Sequence, residues 1–171
     1  LPSSLLLFYM GTVASEKRSE RVLKLRDRVI MEIDSNPGIH LRELQRTVGC
    51  AMGAMQYHLQ NLEHEGMVVS LRIGNTRHLF PADYSKDEQM LRLTALIRNP
   101  LVSAIVNACA LNGRVTQATL SRTLGVDKSL VSYYVGTLLD AGVLKTVRVF
   151  GRERPLMLTD WAVSALPLVC F

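Results

Sequence analysis

Apolar residues recur along the first part of the chain at helical spacing and then at strand spacing. Steps of three and four between residues 18 and 34 predict a first helix, marked by Val22, Leu25, Val29 and Ile33. A short helix ending at Gly49 follows, and a third helix, ending at Gly66, carries Met52, Met55, Leu59 and Leu62. The period then becomes two, which predicts a strand over residues 67–73, a turn at Gly74 and Asn75, and a strand over residues 76–80.

The same order of elements occurs a second time. A shift of 76 residues superposes identical residues without a gap, including Leu44 on Leu120, Arg46 on Arg122, Gly49 on Gly125, Tyr57 on Tyr133, Gly66 on Gly142 and Arg72 on Arg148. Because chance similarity rarely keeps one register so long, we interpret the chain as a duplicated unit. In the second copy Asn99, Thr116 and Asp127 are predicted helix caps, and residues 143–149 and 154–158 are the predicted hairpin.

These patterns predict a mainly α fold with small β-hairpin wings, an α+β arrangement of two tandem units. The predicted segments are an apolar arm (1–16), a first domain (17–84), a linking helix (85–98), a second domain (99–160) and a C-terminal apolar helix or tail (161–171). Leu91, Leu93 and Leu96 need a surface to pack on, so the link is expected to be a helix rather than a flexible tether.

Helix, short helix, glycine turn, helix and hairpin is the order of a winged helix-turn-helix. In residues 36–45 (NPGIHLRELQ) and 56–66 (QYHLQNLEHEG) the first copy closely resembles archaeal winged-helix regulators of the ArsR/MarR-like group. The resemblance covers about residues 22–83, and residues 113–159 are similar to the same superfamily more loosely. It implies a transcription regulator that binds double-stranded DNA, often as a homodimer.

The residues themselves are compatible with that function. Helix three is expected to enter the major groove, with the wing on the DNA backbone. In the first unit, the residues expected to contact DNA are Arg42, Arg46, Gly53, Gln56, Tyr57, Gln60, Arg72 and Arg77. In the second unit they are Arg122, Lys128, Ser129, Ser132, Tyr133, Arg148, Arg152 and Arg154.

Each of these assignments has a simpler alternative. The wing arginines are also explained as solvated hairpin residues, and Tyr57 and Tyr133 as half-buried packing rings. Neither candidate recognition helix is strongly basic, since Glu63 and Glu65 end the first and Asp127 starts the second. The second unit is therefore expected to bind DNA less strongly and to serve mainly dimerisation or an effector response.

Composition narrows the function classes. A chain of 171 residues with 48% hydrophobic content is not intrinsically disordered, and a net charge of +5 favours a polyanionic partner. Three widely spaced cysteines do not form a disulfide framework, so a cytoplasmic protein is expected. The sequence contains no Cys-x-x-Cys or His-x-x-x-His pair, phosphate-binding loop or nucleophile elbow, so we predict no enzyme, cofactor or metal site.

Two alternatives concern the partner. Tandem winged helices also act as protein-interaction scaffolds in chromosome- or polymerase-associated complexes, although arginines at both wing tips favour DNA. The apolar segment Leu5–Met10, followed by basic residues, resembles the cytoplasmic end of a membrane helix if a longer segment precedes it, and a dimer arm explains it equally. Apolar residues in Leu5–Met10, Leu91–Ile97 and Trp161–Phe171 lead us to expect a homodimer.

Overall fold

Residues 24–149, 151 and 154–169 are described by the computed structural model. The chain divides between Tyr84 and Ser85 into two units. The N-terminal arm, the predicted start of the first helix and Val22 lie outside the described residues.

The described residues of the first unit form three helices and a small sheet. Helix α1 covers residues 24–35 of the described chain. It is followed by β1 (Ile39–His40), α2 (Leu41–Val48), α3 (Met52–His64), β2 (Val68–Ile73) and β3 (Thr76–Pro81). The sheet is antiparallel with the order β1-β3-β2. Strand β1 was not predicted, because two residues are too few to show a period.

The core of the first unit lies between its three helices and the sheet. Most residues predicted to face inward on the helices are buried, whereas Leu25 and Met52 are only partly buried. Leu79 of β3 joins the fully buried side chains of the helices, which are Val29, Ile33, Leu44, Met55, Leu59 and Leu62. One detail of β2 differs from the apolar alternation in the sequence. Val68 is buried, whereas Met67 and Val69 are 43% and 41% exposed, so the apolar alternation does not mark the buried face at this end of the strand.

The second unit repeats this order with an additional helix at each end. It contains α4 (Glu88–Ile97), α5 (Pro100–Asn112), α6 (Gln117–Leu124), α7 (Lys128–Asp140), β4 (Leu144–Thr146), β5 (Leu156–Leu158) and α8 (Asp160–Val169). The predicted caps are confirmed, since side-chain oxygens of Asn99, Thr116 and Asp127 accept hydrogen bonds from the first backbone N–H groups of α5, α6 and α7. The hairpin strands are shorter than predicted, at three residues each.

Helix α4 is part of the second unit. Leu91, Leu93 and Leu96 are buried, and α4 packs on α5 and α8. The side chain of Gln89 also donates a hydrogen bond to the carbonyl of Ala141, at 3.3 Å. The segment expected to be a separate link is thus integrated into the core that follows it.

Among the described residues, no single helix has the length and apolar character needed to cross a membrane. Helices α4 and α5 together reach that length, but the chain bends by 107° between them.

Candidate nucleic-acid interface

The turn that sets the angle of the candidate recognition helix is built the same way in both units. In the first unit, Gln45 of α2 donates a side-chain hydrogen bond to the carbonyl of Cys50, at 3.0 Å. In the second unit, the hydroxyl of Ser121 in α6 donates to the carbonyl of Val126, at 2.6 Å. These donors and acceptors are 76 residues apart, like the glycines that end α2 and α6 in the left-handed conformation. Both turns are therefore fixed by a side chain of the preceding helix.

Helix α3 has one buried and one exposed face. Met55, Leu59 and Leu62 have no exposed surface, which anchors the helix on the core. The structure places all four residues predicted for DNA contact on the opposite, exposed side: Gly53, Gln56, Tyr57 and Gln60. A Cβ atom added at Gly53 would meet no atom within 4 Å, so the first turn of α3 presents a low, open surface.

Tyr57 is presented by a neighbour that the sequence analysis missed. Its ring is 60% exposed and touches the ring of His58 edge-on, with centroids 5.4 Å apart. His58 itself is buried, and that burial, together with the charge of Arg26, lowers the pKa of its imidazole. The packing ring at this point of α3 is thus His58, and Tyr57 is free to reach outward.

The second unit shows the same pair of rings on α7. Tyr133 is 66% exposed, and its centroid lies 5.1 Å from that of Tyr134, again edge-on. Tyr134 is less exposed, and its hydroxyl accepts a hydrogen bond from the side chain of Asn99 at 2.9 Å. The interpretation of Tyr57 and Tyr133 as half-buried packing rings is therefore wrong, since in both units the following residue has that role.

The start of α7 differs electrostatically from the start of α3. Asp127 caps α7 and accepts hydrogen bonds from the backbone N–H and the hydroxyl of Ser129, at 2.7 and 2.6 Å. These bonds lower the pKa of the Asp127 carboxyl. Lys128, Ser129, Ser132 and Tyr133 are exposed as predicted, but the hydroxyl proton of Ser129 is already donated to a carboxylate.

The predicted phosphate-contacting residues of α2 and α6 are at the surface. Arg42 and Arg46 are exposed on α2, and Arg122 is exposed on α6. In the second wing Arg148 and Arg154 are exposed, whereas Arg152 lies outside the described residues.

The two arginines of the first wing have different surroundings. Arg72 and Arg77 are directly opposite each other in the β2–β3 register. Arg72 is exposed and forms no ion pair with any residue that the structure describes. Arg77 is only 24% exposed and binds Glu63 of α3 at 2.5 Å. Both arginines are predicted to contact DNA, and nothing in the sequence indicates this pairing, because helix and strand periods do not show which side chains meet.

A second ion pair neutralises the end of α3. Arg26 of α1 binds Glu65, the residue after the last turn of the helix. Together with Arg77, it places a cation beside each of the two glutamates, Glu63 and Glu65, that make α3 less basic. The carboxylates at the end of α3 are therefore balanced within the first unit.

The thiols and histidines of the described chain do not form a metal site. No group of three or more His, Cys, Asp or Glu side chains is placed there to hold an ion. Burial raises the pKa of the Cys109 thiol to about 11 and also raises that of Cys50, so both are protonated at neutral pH.

Both units match known families. Residues 23–91 match a family described as an N-terminal HTH domain, and residues 98–145 match the family described as winged helix-turn-helix DNA-binding. An uncharacterized HTH-type transcriptional regulator of Methanocaldococcus jannaschii is 25% identical over 112 residues, which are 65% of this chain. The match covers 27% of that relative, so the chain spans about a quarter of its length.

Solved structures show a more distant likeness. An ArsR family transcriptional regulator aligns with a TM-score of 0.40 at 18% identity, covering 47% of this chain and 81% of its own. The endosomal complex ESCRT-II aligns with a TM-score of 0.35 at 15% identity, covering 88% of this chain and 67% of its own. At such low similarity, neither structure bears on function. The two family matches, in contrast, include both candidate recognition helices.

Proposed function

We propose that the chain is a transcription regulator that binds double-stranded DNA. The support is that residues 23–91 match a family of N-terminal HTH domains and that residues 98–145 match a winged helix-turn-helix family described as DNA-binding. Helices α3 and α7 enter the major groove in this proposal, and the wings contact the phosphate backbone.

One observation carries the proposal. The repeat keeps the same three kinds of exposed residue on the same elements of both units: an arginine on the helix before the turn, a tyrosine in the middle of the recognition helix, and an arginine on the wing. These pairs are Arg46 and Arg122, Tyr57 and Tyr133, and Arg72 and Arg148. All six are exposed, so core packing does not explain why the duplicated sequence retains them, whereas a common polyanionic ligand does.

The roles of individual residues follow from their chemistry. The amide of Gln56 can pair in a bidentate manner with an adenine edge, and the exposed Tyr57 can contact a phosphate or a thymine methyl group. Arg42, Arg46 and Arg72 can bind phosphate oxygens, which fix the position of the protein on the duplex but carry no sequence information. In the second unit Arg122, Arg148 and Arg154 have the phosphate role, with Lys128 and Ser132 at the groove.

Selection from a random pool of double-stranded DNA tests this function. We expect the wild-type protein to enrich a defined motif, and Gln56→Ala to weaken binding to that motif by about 1–3 kcal/mol with little change on scrambled duplexes. The matched control is Asn107→Ala, an exposed amide on α5 outside the proposed interface, which should leave both affinities unchanged.

The alternative function is a protein-interaction scaffold. Such a scaffold would show neither motif enrichment nor a steep salt dependence on heparin or duplex DNA. That result, obtained with folded wild-type protein, would exclude the regulator and favour the scaffold.

A further inference from the structure

The net charge of the chain is unevenly divided between its two units. Residues 1–84 contain ten Lys and Arg against nine Asp and Glu, a net charge of +1, whereas residues 85–171 contain ten against six, a net charge of +4. Most of the basic character that first suggested a polyanionic partner therefore belongs to the second unit. Sequence reading had instead predicted the weaker DNA binding for that unit, because of Asp127.

Pairing within the first unit sharpens the difference. Two of its cations next to α3 are already bound, Arg77 by Glu63 and Arg26 by Glu65. DNA phosphates must compete with these carboxylates for the same guanidinium groups. Among the described residues, the exposed arginines on α2 and the wing, Arg42, Arg46 and Arg72, form no ion pair with another described residue.

In the second unit, the ion pairs between described residues do not involve the interface cations. Its two ion pairs among described residues are Arg92 with Glu88 within α4 and Lys145 with Asp160. The exposed cations on α6, α7 and the wing form no ion pair with any described residue: Arg122, Lys128, Arg148 and Arg154. Asp127 at the start of α7 and Asp140 at its end oppose them with two negative charges.

The capacity to read bases has the opposite distribution. Helix α3 exposes two amides, Gln56 and Gln60, and an amide is the side chain that pairs with adenine in a bidentate manner. The positions 76 residues later on α7 are Ser132 and Gly136. The hydroxyl of Ser129 donates its proton to Asp127, so α7 presents fewer groups that discriminate between base pairs.

We propose that the two units divide their work on DNA. The first unit supplies most of the sequence selectivity through α3, and the second supplies most of the sequence-independent attraction to phosphate. This inference rests on the proposed DNA-binding function. It reverses the ranking based on Asp127, because the four exposed cations, which form no ion pair with any described residue, outnumber the carboxylates of Asp127 and Asp140 on α7.

Two matched triple variants of the full chain test whether the second unit supplies most of the attraction to phosphate. One carries Arg42→Gln, Arg46→Gln and Arg72→Gln, the other Arg122→Gln, Arg148→Gln and Arg154→Gln, so both lose three charges from exposed positions. The readout is the slope of log K against log salt on a duplex of random sequence, where each phosphate contact contributes about 0.9. We expect the second variant to flatten the slope by about 3 units and the first by about 2, with Lys86→Gln as an exposed control that leaves the slope unchanged.

A third variant releases the paired arginines and should change the salt slope in the opposite direction. The double variant Glu63→Gln and Glu65→Gln frees Arg77 and Arg26 for phosphate, so it should steepen the slope by about 1–2 units. Two double variants test whether α3 supplies most of the sequence selectivity. One carries Gln56→Ala and Gln60→Ala on α3, and the other carries Ser129→Ala and Ser132→Ala on α7. We expect only the α3 pair to reduce the ratio of affinities for selected and scrambled duplexes, by tenfold or more.

The outcomes separate this inference from the function on which it rests. Equal loss of slope in the two triple variants, or loss of selectivity from the α7 pair alone, would overturn the division while leaving DNA binding intact. Failure of the wild-type protein to bind any duplex would overturn both. Thermal melting within a few degrees of wild type establishes that each variant is folded.

Discussion

Tyr57 and Tyr133 occupy the same position of their helices, and each ring rests edge-on against the ring of the next residue. An aromatic pair of this geometry contributes about 0.5–1.5 kcal/mol beyond the area it buries. This contact limits the rotamers available to an exposed tyrosine. At the residue scale, the interface is therefore preorganised by side chains that do not themselves face outward.

The two arginines of the first wing should respond differently to mutation. Arg72→Ala should flatten the salt slope of DNA binding by about one unit without changing stability, because its charge faces solvent. Arg77→Ala should lower stability by up to about 1 kcal/mol, since it breaks a partly exposed ion pair with Glu63.

A double-mutant cycle checks the origin of that loss. Thermal unfolding of Arg77→Ala, Glu63→Gln and the double variant should give a coupling energy of a few tenths of a kcal/mol or more. The same cycle with Arg72 in place of Arg77 should give none. Equal coupling energies for the Arg72–Glu63 and Arg77–Glu63 pairs would contradict the structure.

His58 should make the stability of the first unit depend on pH. Burial lowers the pKa of His58 in the folded state. As the pH falls below the pKa of about 6.5 in the unfolded chain, the unfolded chain therefore binds more protons than the folded chain. The neutral ring's contribution is complete above that pH and is lost as the pH falls towards the folded-state value. Melting temperatures at about pH 7.5 and pH 5.5 should therefore differ more for wild type than for His58→Phe, and identical differences would show that His58 is not responsible.

At the element scale, the helices of the two units repeat at the interval seen in the sequence. Helices α2 and α6 start and end 76 residues apart, as do α3 and α7. Periodicity, caps and glycines predicted these helices because the signals are local. Strand β1 was not predicted, and the strands of the second hairpin were predicted too long, because Ile39 pairs with Leu79 and Leu144 with Leu158 across intervals that a local pattern does not encode.

The glycines after α3 and α7 allow a matched test of helix termination. Gly66 and Gly142 both have left-handed φ angles, 71° and 69°, where a side chain costs about 1–2 kcal/mol. A Cβ atom at Gly66 meets open space, but at Gly142 it would lie 2.8 Å from the side-chain nitrogen of Gln89. We expect Gly142→Ala to lower the melting temperature more than Gly66→Ala, since it also displaces the Gln89 hydrogen bond.

Two further variants make that comparison interpretable. With Gln89→Ala as background, the difference between the two glycine variants should disappear. Gly53→Ala, inside α3 and without a positive φ angle, should stabilise the helix by up to about 1 kcal/mol. If Gly142→Ala leaves the melt unchanged, α7 does not end there as described.

At the scale of the whole molecule, fewer of the apolar residues that suggested a homodimer are available for an interface between two copies. Leu91, Leu93 and Leu96 are used within the second unit, and Leu5–Met10 lies outside the described residues. Helix α8 still exposes Val163 and Leu168, at 56% and 70%. Dimerisation therefore remains a prediction that depends on α8 and on the N-terminal arm.

Light scattering tests that prediction directly. We expect the wild-type protein to be a dimer at tens of micromolar, and replacement of Val163 and Leu168 by serine to shift it towards the monomer. A wild-type monomer at this concentration would contradict the prediction.

The candidate site was predictable in part. Exposed positions on α3 and α7 followed from helical periodicity, since identifying the buried face also identifies the opposite one. The pairing of Arg77 with Glu63 and the support of Tyr57 by His58 were not predictable, because they depend on tertiary proximity and on rotamers. The distribution of charge between the units can be counted in the sequence. Which unit binds phosphate more strongly also depends on which cations form ion pairs, and only the structure shows this.

The salt dependence of duplex DNA binding tests the central claim most directly. We would titrate the wild-type protein onto a duplex of about 30 base pairs at several salt concentrations between about 50 and 200 mM. If the exposed arginines of both units contact phosphate, log K should fall with log salt at a slope of about −4 to −6, since each contact contributes about 0.9. A slope near zero, or no binding at the lowest salt concentration, would contradict the account of this protein as a DNA-binding regulator.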